Sequence, residues 1–166
     1  MSKKMQDVVL MFTLVFGLII CASLFFNVLE TSDNEPIMDG ILAVFGGEVA
    51  SIGGFISSRI IFSMRNFIAF IFPLIFSLLG IVIIKQSSAA TIKLFAGIIL
   101  SAVFITSVYL LANLGLNTIG EVDVFGVTSK INYKQAELTI VSSVALVSAI
   151  LGAVSSVLYS VSQLGK

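Results

Sequence analysis

The chain has 166 residues, 58% hydrophobic and 11% charged, and a mean hydropathy of +1.14, far too apolar for an ordinary soluble domain, where about 25% of residues carry charge. Nine basic residues balance nine acidic ones, which gives no electrostatic footprint for nucleic acid. There is no His, and Cys21 is the only cysteine, so an intrachain disulfide, a CxxC motif and a Cys/His metal site are excluded.

Val8 to Leu29 is uncharged and long enough for the about 20 apolar residues of a membrane span. Lys3 and Lys4 before it would also suit a signal peptide, but the run is too long for an h-region and no A-x-A-like site follows. Leu18-Ile19-Ile20-Cys21 loosely resembles a lipoprotein cleavage site, except that Ile20 is not the small residue such a site wants. A cysteine packed within a helix or facing lipid is the simpler reading.

Residues 30–66 follow, half apolar and rich in Gly, with the acids Glu30, Asp33, Glu35, Asp39 and Glu48. Gly46-Gly47 and Gly53-Gly54 separate Ile41–Phe45, Glu48–Ile52 and Phe55–Phe62. Runs of Val, Ile and Phe punctuated by Gly pairs predict short strands joined by tight turns. The rival is an interfacial or re-entrant helix, which each Gly would weaken by about 1 kcal/mol. Arg59 and Arg65 flank the next span. Each either pairs with a neighbouring acid such as Asp39 or Glu48 or stays solvated.

Phe67 to Ile84 is the second predicted span, with Pro73 as a candidate kink inside it, because proline removes one helical hydrogen bond. After a polar turn from Lys85 to Lys93 comes the third span, Leu94 to Leu116. Thr106, Tyr109 and Asn113 share one of its faces. They would either line a polar path or make interhelical hydrogen bonds worth about 0.6 kcal/mol each. In residues 117–137, Glu121-Val122-Asp123-Val124 alternates and Thr128–Tyr133 is β-prone. A lone strand needs a partner for its backbone groups, and the first polar segment is the obvious one.

Leu138 to Leu164 is the fourth span. Ser148, Gly152 and Ser156, continued by Ser160, form a candidate helix-packing face, and Ala145, Ala149 and Ala153 form a second small face. Small residues let helices approach closely in lipid. A second such face motivates a homo-oligomer.

Four spans place both termini on one side, where Lys3, Lys4, Lys85, Lys93 and Lys166 meet the single acid Asp7. The positive-inside rule makes that side cytoplasmic. The expected fold is therefore a membrane all-α bundle of four transmembrane helices, with a small extracytoplasmic antiparallel β-sheet from the two outer segments. In outline this resembles the claudin-like tetraspan arrangement. The claudin motif of a Trp, a Gly-Leu-Trp and two cysteines in the first outer loop is absent, so the resemblance is one of topology and transfers no junction or adhesion role.

The uncharged runs hold no intramembrane carboxylate, Lys, Arg or His, the groups that mark proton relays and coupled transport and acid–base catalysis. The sequence points to a non-enzymatic protein without a cofactor, with a structural, interaction or accessory-subunit role through its outer segments. The alternative is a small channel or transporter component using the polar face of the third helix. The expected partners are the lipid bilayer and either a second copy or another membrane protein.

Overall fold

The computed structural model describes residues 3–52 and 56–164. Four long helices dominate: α1 (Lys3–Ala22), α3 (Met64–Gln86), α4 (Ala90–Ala112) and α6 (Ile140–Val161). Each is long and apolar enough to cross a membrane. A helix suits such runs because it satisfies its own backbone polar groups.

The helices do not fill the apolar runs as expected, and the polar residues at their ends explain why. The span expected over 8–29 stops being α-helical at Ala22, passes through a 3-10 turn at Ser23–Phe25, and becomes strand β1 (Asn27–Glu30). The Ser23 hydroxyl donates back to the Ile20 carbonyl at 2.6 Å, and Val28 and Leu29 are buried as strand residues. The run 94–116 is divided at Asn113, beyond which lies the short helix α5 (Leu114–Asn117). In the run 138–164, Leu138 is extended, and α6 begins under Thr139, whose hydroxyl accepts from the Ser142 N–H at 3.2 Å. The run 67–84 is instead extended at both ends, because Ser63 caps α3.

The four long helices form a ring in which α1 and α4 each pack against both α3 and α6. Gly17 brings α1 so close to α3 that a Cβ there would lie 3.0 Å from the Pro73 carbonyl oxygen. Pro73 removes the N–H that would bond the carbonyl four residues back, at Ala69. Ser107 of α4 replaces it, donating its buried hydroxyl to that oxygen at 2.6 Å.

The two small stripes of α6 are both consumed inside this ring. Ser148, Gly152, Ser156, Ala145 and Ala149 are all buried, and a Cβ on Gly152 would run into the Phe104 ring. Positions seven apart on a helix differ by only about 20°, so Ala145 and Gly152 lie nearly in line. The stripes are one broad surface wedged between α1 and α4, and neither is left over for a second copy.

At one end of the ring lie two antiparallel sheets where a single one was expected. The smaller orders β2 (Pro36–Asp39), β1 and β7 (Glu137–Leu138). The larger orders β3 (Gly47–Ile52), β4 (Ile56–Ile60), β5 (Ile119–Val124) and β6 (Val127–Asn132). Each sheet combines strands from both segments 30–66 and 117–137 or their borders. Ile41–Phe45, expected as a strand, belongs to helix α2 (Gly40–Phe45). The reason is local: Asp39 takes the N-cap position and accepts from the Leu42 N–H at 2.7 Å, an arrangement aspartate favours.

Replacing Ser107 by Ala should cost about 1 kcal/mol of stability, since it strands a buried carbonyl. In a Pro73→Ala background residue 73 regains its N–H, and the same replacement should cost clearly less. Denaturant unfolding in detergent measures both steps, and equal costs in the two backgrounds would disprove the compensation.

Candidate functional site

The larger sheet is the most distinctive surface of the molecule, and its register sorts its residues onto two unlike faces. Residues directly opposite one another share a face, and alternate rows point the same way. One row runs Glu48, Arg59, Glu121, Lys130 and another Ser57, Asp123, Thr128. This is the polar face. Both the Arg59 Nε and Nη2 donate to Glu121 Oε2, at 3.0 and 2.6 Å, and Lys130 Nζ stands 4.0 Å from Oε1. Glu121 thus joins three strands. Arg59 also lies opposite Glu48 in register, yet it turns to Glu121 in the other segment. Arg65, the second arginine, donates to the Asn117 side chain at 3.4 Å.

The opposite face has apolar rows at both ends, separated by a row of Ala50, Ser58, Val122 and Ser129, and is only partly covered. Ile60 and Gly120, nearest the helices, are buried, and Val122 is half-buried. The last row, Ile52, Ile56, Val124 and Val127, is exposed, with Val127 at 69% and Ile52 at 65%. Beyond that row β5 turns into β6 through Phe125 and Gly126, both with positive φ (53° and 81°). A two-residue turn with both central φ values positive is the type I′ hairpin, which prefers Asn-Gly or Asp-Gly. Here a phenylalanine occupies the first position and is 75% exposed. Asp123 secures the turn, accepting from the Gly126 N–H at 2.8 Å and the Thr128 hydroxyl at 3.0 Å.

A buried polar junction fastens this sheet to the helices. Asn66, at 0% exposure, donates from Nδ2 to the Ala43 carbonyl of α2 and to Thr118 Oγ1, both at 2.9 Å. The Thr118 hydroxyl in turn donates to the Leu114 carbonyl at 2.9 Å. Ser63 donates to the Asn117 carbonyl at 2.8 Å while accepting from the Asn66 N–H at 3.3 Å. Tyr133 packs beside Gly115 and Gly120, and burial pushes its phenol pKa up. The smaller sheet has a parallel fastening, since Thr139 donates to the Asn27 carbonyl at 2.7 Å and Ser142 to the Val28 carbonyl at 2.6 Å.

The residues singled out from the sequence fall in separate places. Thr106 and Tyr109 are exposed on the outside of the ring, opposite the inward-facing Phe104 and Ser107. Asn113 folds back to donate to the Tyr109 carbonyl at 2.8 Å, which ends α4. These three do not line a passage between the helices. Gly46 terminates α2 at a φ of 73°, and Gly47 opens β3. Gly53 and Gly54 lie outside the described residues. The junction of Ser63, Asn66, Asn117 and Thr118 was missed, although Ser63 ahead of an apolar run is an N-cap signal. The Phe125-Gly126 turn was missed too, although alternating Val residues flank it.

Comparison with protein-family models, curated proteins and solved structures finds no match to this chain.

Asn66→Ala should destabilise the fold by about 1–3 kcal/mol, because it leaves the buried Ala43 carbonyl without its donor. A thermal midpoint in detergent that matches the unmutated protein would show that the junction does not hold the sheet to the helices.

Proposed function

We infer that this chain is a non-enzymatic integral membrane protein whose four long helices anchor a β-rich head on the outer side, and that the head is an interaction surface serving a structural or accessory-subunit role. The observation that carries this reading is the tip of the larger sheet. An uncovered apolar row ends in a strongly exposed phenylalanine held in the left-handed region. That conformation costs a bulky residue about 1–2 kcal/mol, and exposing the ring forgoes its burial. At 75% exposure the ring and the row behind it still offer apolar area that a partner seated on the tip would bury. Strain of this kind gathers at functional positions.

The membrane part of the reading is supported by the four apolar helices. The start of α1, the α3–α4 turn and the end of α6 meet around one cavity, so the outer ends of the chain share the side that carries Lys85 and Lys93. This favours a cytoplasmic position for that end and an outline like that of the claudin-like tetraspans. The partner is another membrane protein or a second copy meeting the head. A channel role would draw on Thr106, Tyr109 and Asn113, of which the first two are exposed on the outside of the ring and the third caps the end of α4.

Phe125→Asn separates fold from function. It places the preferred residue in the turn and should raise the unfolding midpoint, while a photocrosslinker at Val127 should capture a protein partner in membranes from the unmutated chain and lose most of that adduct in the variant. An impermeant maleimide should label Thr128→Cys in intact cells and Ser88→Cys only after permeabilisation. Protein adducts undiminished by Phe125→Asn would refute the tip as the contact, and labelling in the opposite order would invert the topology.

A further inference from the structure

The end of the ring away from the sheets holds a cavity of about 480 Å³ walled by all four long helices. Gln6 and Asp7 come from α1, Lys85 and Ser87 from the end of α3 and the turn after it, Lys93 from α4 and Tyr159 from α6. Buried Leu10 and Ile84 complete its lining.

Three features of this cavity bear on what it could hold. Tyr159 is buried to 1% exposure, yet its hydroxyl is not sealed in: it makes no hydrogen bond among the described residues and opens on the cavity. Lys85 is exposed and Lys93 half-buried, and the ammonium groups of both make no ion pair among the described residues, where the pairs found are both at Glu121. Lys93 is the stranger of the two. It stands in the first turn of α4, a helix whose N-cap residue, Ala89, supplies no side-chain cap. A helix N-terminus carries partial positive charge and free N–H groups, so a lysine there is repelled. Lys85, in the last turn of α3, is placed as the dipole favours. An anion in the cavity fits all three: it neutralises Lys93 beside the helix end, accepts from the Tyr159 hydroxyl and draws in Lys85.

We propose that this cavity binds a phosphate group through Lys85, Lys93 and Tyr159. The tetrahedral oxygens suit converging ammonium and hydroxyl donors, and basic pockets between helices at the cytoplasmic face suit phospholipid headgroups. A lipid source rests on the membrane reading above, while a free phosphate source does not. Asp7, which lines the same cavity, opposes the anion, so it limits affinity and plays no part in binding.

The test uses the purified full chain in detergent, with phosphatidylglycerol and phosphatidylcholine followed by native mass spectrometry and inorganic phosphate by equilibrium dialysis. Phosphatidylglycerol should be retained, and Lys85→Gln with Lys93→Gln should weaken it roughly 30-fold. Tyr159→Phe should weaken it severalfold with the unfolding midpoint unchanged, and Asp7→Asn should bind as tightly or tighter. Lysine-dependent binding of inorganic phosphate alone would support the site and assign it to a free ion. The proposal is overturned if none of the three probes binds in a lysine-dependent way, or if Asp7→Asn weakens binding as the lysine changes do. Because only the lipid arm needs the membrane reading, that reading and this site can fail separately.

Discussion

The structure depends on the Asn66 amide nitrogen, both of whose N–H groups are paired, while the buried Oδ1 of the same side chain has no partner among the described residues. A buried amide without partners would oppose folding, and here its two N–H donors reach α2 on one side and Thr118 on the other. The two segments that build the larger sheet leave the helices at these points, at residues 61–63 and at Thr118. The junction therefore sets where β4 and β5 begin relative to each other. Their pairing follows at once, with the Ile61 N–H bonded to the Ile119 carbonyl at 2.9 Å and Ile60 opposite Gly120. Arg59 and Glu121 meet because of that register, and they lock a placement already made below them.

The same economy of small polar groups runs through the helices. Hydroxyls of Ser77, Ser107 and Ser142 each donate to a carbonyl of a different element, at Thr13, Ala69 and Val28. Every one bridges two parts of the chain without a charged group, and serine is short enough to do so between closely packed backbones. In an apolar ring such bonds select one rotation of each helix, where dispersion alone would accept several.

The long apolar runs showed where helices would lie, since nothing else suits some twenty uncharged residues, and the alternation at Glu121–Val124 showed a strand. The ends of those runs were less legible. Val28 and Leu29 are as apolar as the residues before them, and only their burial between β2 and β7 makes them strand. Hydropathy does not distinguish apolar residues that meet a helix from those that meet a sheet. The polar face of the third run was misplaced for a related reason: a helix face can be named from spacing, but which way it turns is decided by Phe104 and Ser107 meeting their partners. Ile41–Phe45 was misread because its apolar residues outweighed the Asp39-Gly40 start signal.

The ring also has a consequence in time. Its seam joins α1 to α6, the first and last of the described helices, and β1 completes its pairing only with β7, more than a hundred residues later. Contacts so distant in sequence form late and slowly. During synthesis α1 must wait beside α3 alone, held through Gly17 and the Thr13 carbonyl, with its other flank and the edge of β1 open until α6 arrives. The chain is thus most vulnerable to mispairing just before α6 is made, and closing the seam is the act that completes the ring.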